Sequence, residues 1–198
     1  KSVYCIPMGV SKGMLLNPQD ITPQYIKKHL KSGYFNVVFA GSMGITNALD
    51  TFFKAAEILK NNSKIRFIIV GDGALKNSYL NQFGYLPNLI YFPKVAKNQV
   101  QSFLAYADVV YFSVFKSKVW DYGQSLNKII DYMISGKPII ASYSGYPSMI
   151  NEADCGYFIP AEDCHSLVIK IKEMAIMTEF ERNIMGARGL NWLLENRL

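Results

Sequence analysis

The sequence is poor in the residues that build metal centres and disulfide frameworks. Its three cysteines, Cys5, Cys155 and Cys164, are odd in number and lack C-x-x-C spacing, so neither a disulfide framework nor a zinc site is indicated. They read as small packing residues in a chain kept in a reducing cytoplasm. The two histidines, His29 and His165, stand in no metal-ligand pattern and read as surface or loop residues. No apolar run reaches the length that crosses a bilayer, and no charged-then-apolar leader opens the chain. There is no Ser-His-Asp arrangement, paired-carboxylate site or nucleophile elbow. Acidic residues are outnumbered 15 to 21 by lysine and arginine, a formal charge of +6. That balance suits an anionic ligand or a peripheral contact with an acidic membrane surface, without choosing between them. The basic residues are scattered and no DNA- or RNA-binding module is recognisable, which argues against nucleic acid as a partner.

What is present is one substantial core: 198 residues, 50% hydrophobic and 18% charged. Apolar runs of strand length alternate with helix-period segments, predicting an α/β fold with a doubly wound parallel sheet of about six strands. The strands are expected at Phe35 to Ala40, Arg66 to Val70, Leu89 to Phe92, Val109 to Phe112, Pro138 to Ala141 and Tyr157 to Ile159. All but the last are almost continuously hydrophobic, as strands buried on both faces should be. Helices are expected near Asn47 to Lys60, Leu75 to Gln82, Lys97 to Tyr106, Leu126 to Ser135, Pro147 to Glu152, Cys164 to Thr178 and Glu181 to Asn196. Residues 1–33 read as a segment leading into the domain, 34–178 as its body, and 179–198 as a final helix that either packs on it or crosses to another lobe. Within the first segment, Tyr4 to Val10 reads as a strand entering a turn. Ser11 to Gly33 is polar and irregular apart from a basic helical piece at Tyr25 to Leu30, an approach to the core rather than part of it. A chain beginning at Lys1 reads as a piece of something longer.

In such a sheet, ligands gather outside the carboxyl ends of the strands. Gly41-Ser42-Met43-Gly44 follows the first strand, where glycine permits close backbone approach and a helix start offers amides to a diphosphate; a plain tight turn is the equal alternative. Thr46 or Asn47 is a fitting cap for the helix that follows. Gly71-Asp72-Gly73 closes the second strand, with Asp72 expected to cap the helix beginning near Ala74. Pro93-Lys94-Val95 forms a turn on which a flat base can rest. The richest stretch runs from Ser125 to Pro138. Ser125 or Asn127 can cap its helix, and Lys128 and Asp131, at i and i+3, share one face while Ile129, Ile130, Met133 and Ile134 pack inward. A cation for phosphate and an acceptor for ribose hydroxyls would suit that face; a surface ion pair is the plainer alternative.

Taken in order, Ile6-Pro7-Met8-Gly9-Val10, Phe39-Ala40-Gly41-Ser42, Val70-Gly71-Asp72-Gly73, Ala107-Asp108-Val109-Val110 and Asp131-Tyr132-Met133-Ile134-Ser135-Gly136-Lys137-Pro138 resemble the C-terminal, donor-nucleotide domain of glycosyltransferase family 4. The resemblance implies the Rossmann-like C-terminal half of a GT-B fold. The form Ser-x-Asn-Lys-x-x-Asp-Tyr-Met looks like a bacterial subgroup of surface-polysaccharide assembly, lipopolysaccharide or capsule. It implies a retaining transferase of hexosyl or aminosugar units, cytoplasmic or at the inner membrane face, without a cofactor or metal. The substrates would be a UDP- or GDP-sugar donor and a glycan or lipid-linked acceptor held by a missing N-terminal domain, leaving this piece inactive alone.

Two departures stand out. The Glu-x7-Glu motif of typical members aligns its first acid with Gly123, so the backbone of Gly123, Gln124 and Ser125 would have to meet the donor sugar. The usual arginine and lysine after the first strand are replaced by Ser42 and Thr46-Asn47, leaving Lys128 to stabilise the leaving diphosphate. The implied binding set is Gly41, Ser42, Gly44, Gly71, Lys94, Val95, Gly123, Gln124, Ser125, Asn127, Lys128 and Asp131, with Lys128 catalytic. A noncatalytic nucleotide-binding or scaffolding domain of the same fold is the competing reading. A nucleotide-sugar epimerase half is a weaker third, for which no acid-base set is found.

Overall fold

Six runs rich in β-branched and aromatic residues form one sheet: β1 (Phe35–Ala40), β2 (Ile65–Val70), β3 (Leu89–Phe92), β4 (Val109–Ser113), β5 (Ile139–Ser142) and β6 (Gly156–Ile159). The computed structural model describes residues 8–15, 20–30, 33–124 and 126–198. Most of the expected strand at Tyr4 to Val10, together with Cys5 and Ser125, lies outside them. The strand order is β3-β2-β1-β4-β5-β6 and every pairing is parallel, with Ala40 opposite Val70, Val70 opposite Phe92, and Ser113 opposite Ser142. This is the doubly wound, Rossmann-like order, and it reverses between β1 and β4.

Alternation along the strands feeds two layers of core. Val37, Phe39, Phe67, Ile69, Val109 and Tyr111 point to one face, while Val38, Ile68, Val70, Val110 and Phe112 point to the other. The helices are α1 (Lys12–Leu15), α2 (Gln24–Lys27), α3 (Asp50–Ile58), α4 (Lys76–Phe83), α5 (Val100–Leu104), α6 (Asn127–Ile134), α7 (Met149–Glu152), α8 (Cys164–Ile176) and α9 (Glu179–Asn196). Phe52 and Phe53 of α3, Tyr79 of α4 and Leu167 of α8 fill the first layer. Phe103 of α5, Ile129 and Ile130 of α6 and Leu193 of α9 fill the second. None of the helices among the described residues is long and apolar enough to cross a membrane.

Strand positions match the sequence reading to within a residue, but the helix ends differ for local reasons. The helix expected from Asn47 splits into a 3-10 turn, Ile45–Asn47, and α3, because Ala48 adopts a left-handed conformation (φ 42°) between them. The last two helices are divided at Thr178, whose side chain accepts from the Glu181 amide while Glu181 reaches back to the Thr178 amide. Residues 20–30 are part of the core rather than only an approach to it. Ile26 and Leu30 share a face at i and i+4 and are buried in the second layer, and the Thr22 hydroxyl donates to Ser102 Oγ of α5 (3.0 Å). The final helix packs on α6, with Met185 and Leu193 buried.

Candidate functional site

Beyond the carboxyl ends of β1, β2 and β3, the parallel ladder continues into the loops. Gly41 N–H donates to the Val70 carbonyl (3.0 Å), Gly71 N–H to Phe92 (3.2 Å), Met43 N–H to Asp72 (2.9 Å) and Leu75 N–H to Met43 (3.0 Å). The Tyr91 hydroxyl donates to the Gly71 carbonyl (3.0 Å) from the neighbouring strand. Gly71 has φ +153°, and a Cβ there would run into the Gly41 carbonyl oxygen. This glycine is what lets the two loops close on each other. Gly71→Ala is therefore expected to cost about 3 kcal/mol, the upper end of ordinary point changes. A Tm lower by about 6–12 °C in a thermal melt would register it.

Helix α6 is fixed against these loops by Tyr132, which is buried. Its hydroxyl accepts from Ala40 N–H (3.0 Å) and lies 3.3 Å from the Ala40 carbonyl, to which it donates. One turn earlier, Lys128 lies across Gly41: a Cβ on that glycine would stand 3.0 Å from Lys128 Cε. Gly41 thus leaves room for the lysine stem. Lys128 Nζ donates to Asn47 Oδ1 (2.7 Å) and sits 4.2 Å from the centre of the Phe39 ring. Asn47 Nδ2 in turn donates to the Ser42 carbonyl (2.7 Å). Burial pulls the Lys128 ammonium down to a pKa of about 7. Asp131 is partly buried, and desolvation raises its pKa against an opposing pull from Lys97.

Lys128 and Asp131 line one cleft of about 570 Å³ with Gly41, Ser42, Gly71, Asp72, Lys94 and Val95. Among the described residues no ion pair joins them, so the surface ion pair weighed from the sequence does not form. Their charges instead face a common space. Gly44 and Asn127 are not among the residues lining that cleft: Gly44 precedes the 3-10 turn, and Asn127 is exposed at the first position of α6. Gly123 and Gln124 line a second cleft of about 330 Å³, together with Leu126 and with Ile129 and Ile130 of the other side of α6.

The capping expectations need correction. Leu126, not Asn127, is the N-cap of α6, and Leu49 is that of α3; neither has a side-chain cap. Asn47 is drawn instead to Lys128, a more rewarding partner for its amide oxygen than the amides of a helix. Asp72 does not cap α4, which begins at Lys76; its carboxylate accepts from Gly73 N–H (2.9 Å) and pairs with Lys76 (3.6 Å). The contribution of Asn47 to the site was missed from the sequence. The signal was its position one short turn after the glycine loop, which reads there as a helix start and, by the resemblance, as the place of a usual cation.

The family model described as "Glycosyl transferases group 1" matches residues 34–176. The chain belongs to this glycosyltransferase family. That match takes in the loops after β1, β2 and β3 and the whole of α6, and every residue that lines the first cleft; the second cleft also draws on Met8 and Arg197, outside it. No curated protein sequence matches significantly. Among solved structures, TarM of S. aureus, in a mutant complexed with Fondaparinux, alpha-GlcNAc-glycerol and UDP, aligns at 18% identity and TM-score 0.70, over 89% of this chain and 34% of its own. Anabaena HepE in complex with UDP-glucose aligns at 14% identity and TM-score 0.71, over 96% and 52%. The C-terminal domain of LpcC, a glycosyl transferase group 1 family protein of Francisella tularensis, aligns at 19% identity and TM-score 0.68, over 95% and 98%. At these identities the likeness is one of fold. The chain spans about a third of TarM and half of HepE.

Proposed function

We propose that this glycosyltransferase domain binds the nucleotide-diphosphate sugar of a retaining transferase of family 4, acting in bacterial surface-polysaccharide synthesis at the inner face of the membrane. The observation that carries this reading is the convergence of Lys128, Asp131 and the interlocked Gly41 and Gly71 loops on one cleft. Loop amides and the Lys128 ammonium would take the diphosphate, Asp131 the ribose hydroxyls, and the backbone at Lys94 and Val95 the base. As the glycosidic bond to the donor breaks, charge builds on the leaving diphosphate, and a fixed ammonium in a dehydrated setting stabilises it where it develops. UDP is the favoured nucleotide over GDP, by analogy with the ligands of TarM and HepE.

The acceptor, a glycan or lipid-linked sugar, would be held mainly by an N-terminal lobe, with residues 34–178 as the donor domain and 179–198 reaching toward that lobe. On this reading the 198-residue chain binds nucleotide and transfers little or no sugar alone. Calorimetry with UDP and with GDP tests it. Asp131→Ala is expected to weaken UDP binding by about tenfold or more, since hydrogen bonds to a charged group contribute about 1.5–3 kcal/mol. Equal affinity in the variant and the parent would remove Asp131 from the site. The lack of a carboxyl group at Gly123 favours a second reading, a nucleotide-binding domain without transfer activity. UDP binding without any sugar transfer once the N-terminal lobe is present would support it.

A further inference from the structure

We propose that the second cleft, on the other side of α6 from Lys128 and Asp131, is a carbohydrate subsite that takes one sugar ring of a glycan acceptor. The inference goes beyond donor binding and concerns residues that do not line the donor cleft.

The first observation is Gln124. It lines this cleft, and both Nε2 and Oε1 are buried without a hydrogen-bond partner. An amide buried in this way is costly, and native proteins seldom leave one unpaired unless a ligand or water completes it. Turned into the cleft, the amide is suited to a group that both donates and accepts, as a sugar hydroxyl does and a phosphate or an aliphatic chain does not.

The second observation is a pair of exposed aromatic residues on loops that line the cleft. Tyr122 is 92% exposed and Tyr146 63% exposed, and both line the cleft. Gly123, at φ +96°, brings the backbone under Tyr146: a Cβ built there would stand 4.0 Å from its Cδ1. The supporting loops are tied together. Tyr146 N–H donates to the Trp120 carbonyl (2.9 Å), and the Tyr143 hydroxyl is shared between the carbonyls of Trp120 and Tyr146 (3.0 Å each). Tyrosine rings on such loops offer a flat apolar surface with a polar rim, which matches the C–H face and the hydroxyl edge of a pyranose. Glu152 and Arg197 add an acceptor and a donor at the same cleft. A volume of about 330 Å³ lies at the lower end of small-molecule sites, about 300–1,000 Å³, and suits one ring rather than a nucleotide.

The test is a titration of the 198-residue chain, followed by amide NMR, with the methyl α-glycosides of glucose, galactose and N-acetylglucosamine. At least one glycoside is expected to shift the Gln124 side-chain amide and the backbone of Tyr122, Gly123 and Tyr146. Gln124→Leu keeps an apolar side chain of similar bulk and removes the unpaired amide, so its Tm is expected to rise by about 2–4 °C while the glycoside response is lost. A purely structural Gln124 would give the first change without the second. Tyr146→Ala is expected to weaken the response at least tenfold, which keeps the test open if Gln124→Leu does not fold. Lys128→Ala should retain the glycoside response while losing nucleotide affinity, so a failure of the donor reading and a failure of this one are separable. No response to any of the three sugars, shifts confined to the Lys128 and Asp131 cleft, or an undiminished response in both Gln124→Leu and Tyr146→Ala would overturn the proposal.

Discussion

Lys128→Ala is expected to lower affinity for UDP about 10- to 100-fold while making the unliganded chain more stable at pH 6. Both effects come from one circumstance. The ammonium is largely buried over the Phe39 ring and, among the described residues, donates to one neutral oxygen, Asn47 Oδ1. No carboxylate among the described residues pairs with it. Burial without a counterion disfavours the charged form, which is why its pKa falls to about 7. A diphosphate would supply the missing negative charge, and charge-assisted bonds of this kind contribute about 1.5–3 kcal/mol, the stated range of affinity. Removing the amine therefore relieves the desolvation penalty of the unliganded domain and, on the proposed site, would deprive the diphosphate of a charge-assisted contact. Calorimetry and a thermal melt on the same preparation read the two effects. Unchanged UDP affinity beside a raised Tm would mean that Lys128 is buried for packing alone. Lys128→Met serves as the control for lost packing, because its unbranched side chain keeps most of the apolar stem.

The sheet was legible because a strand buried on both faces leaves a continuous apolar run, and Phe35–Ala40, Ile65–Val70 and Val109–Ser113 all do so. The inward face of α6 was largely legible from its helical period: Ile129, Ile130 and Met133 are buried as expected, while Ile134 is only partly buried and Tyr132, not among them, is buried. What local pattern cannot carry is the choice of a distant partner. Asn47 has the chemistry of a helix cap and was read as one, yet its oxygen meets an amine 81 positions away. Ile26 and Leu30 sit in a polar stretch, and only the fold shows that their shared face meets the second core layer. The glycine loops were read separately after their strands. Their mutual grip, through Gly41 N–H on Val70 and the Cβ-free approach of Gly71 to Gly41, depends on the parallel pairing of β1 with β2. Similarly, Gly123 and Lys128 are five residues apart in sequence but line different clefts, because α6 turns one side to each.

The pH dependence of donor affinity follows from the same lysine, with a definite sign. In the free domain Lys128 is half protonated near pH 7, and a diphosphate bound as proposed would raise its pKa, so the complex would hold more protons than the free components above that pH. Affinity for UDP-glucose should then be level below about pH 7 and fall as pH rises past it, by up to tenfold per unit, until the pKa of the bound form is reached. UDP-glucose is the better probe, since its diphosphate is esterified at both ends and lacks the terminal phosphate ionisation that would complicate UDP. The stability of the unliganded chain should move the other way. Its folded pKa lies below the unfolded value of 10.5, so the unfolded chain binds the extra proton between about pH 7 and 10.5. The full penalty is present below pH 7 and is relieved as pH rises through that window. Tyr79 and Tyr132, whose pKa values burial raises, oppose this only above about pH 10, where the unfolded phenol ionises first. Isothermal titration in buffers of different ionisation heat measures the proton uptake directly. It should approach one proton per UDP-glucose near pH 8 and vanish in Lys128→Met. Uptake that persists in that variant would place the titrating group elsewhere, whereas its loss together with a flat pH profile would tie charge recognition in this cleft to a single amine.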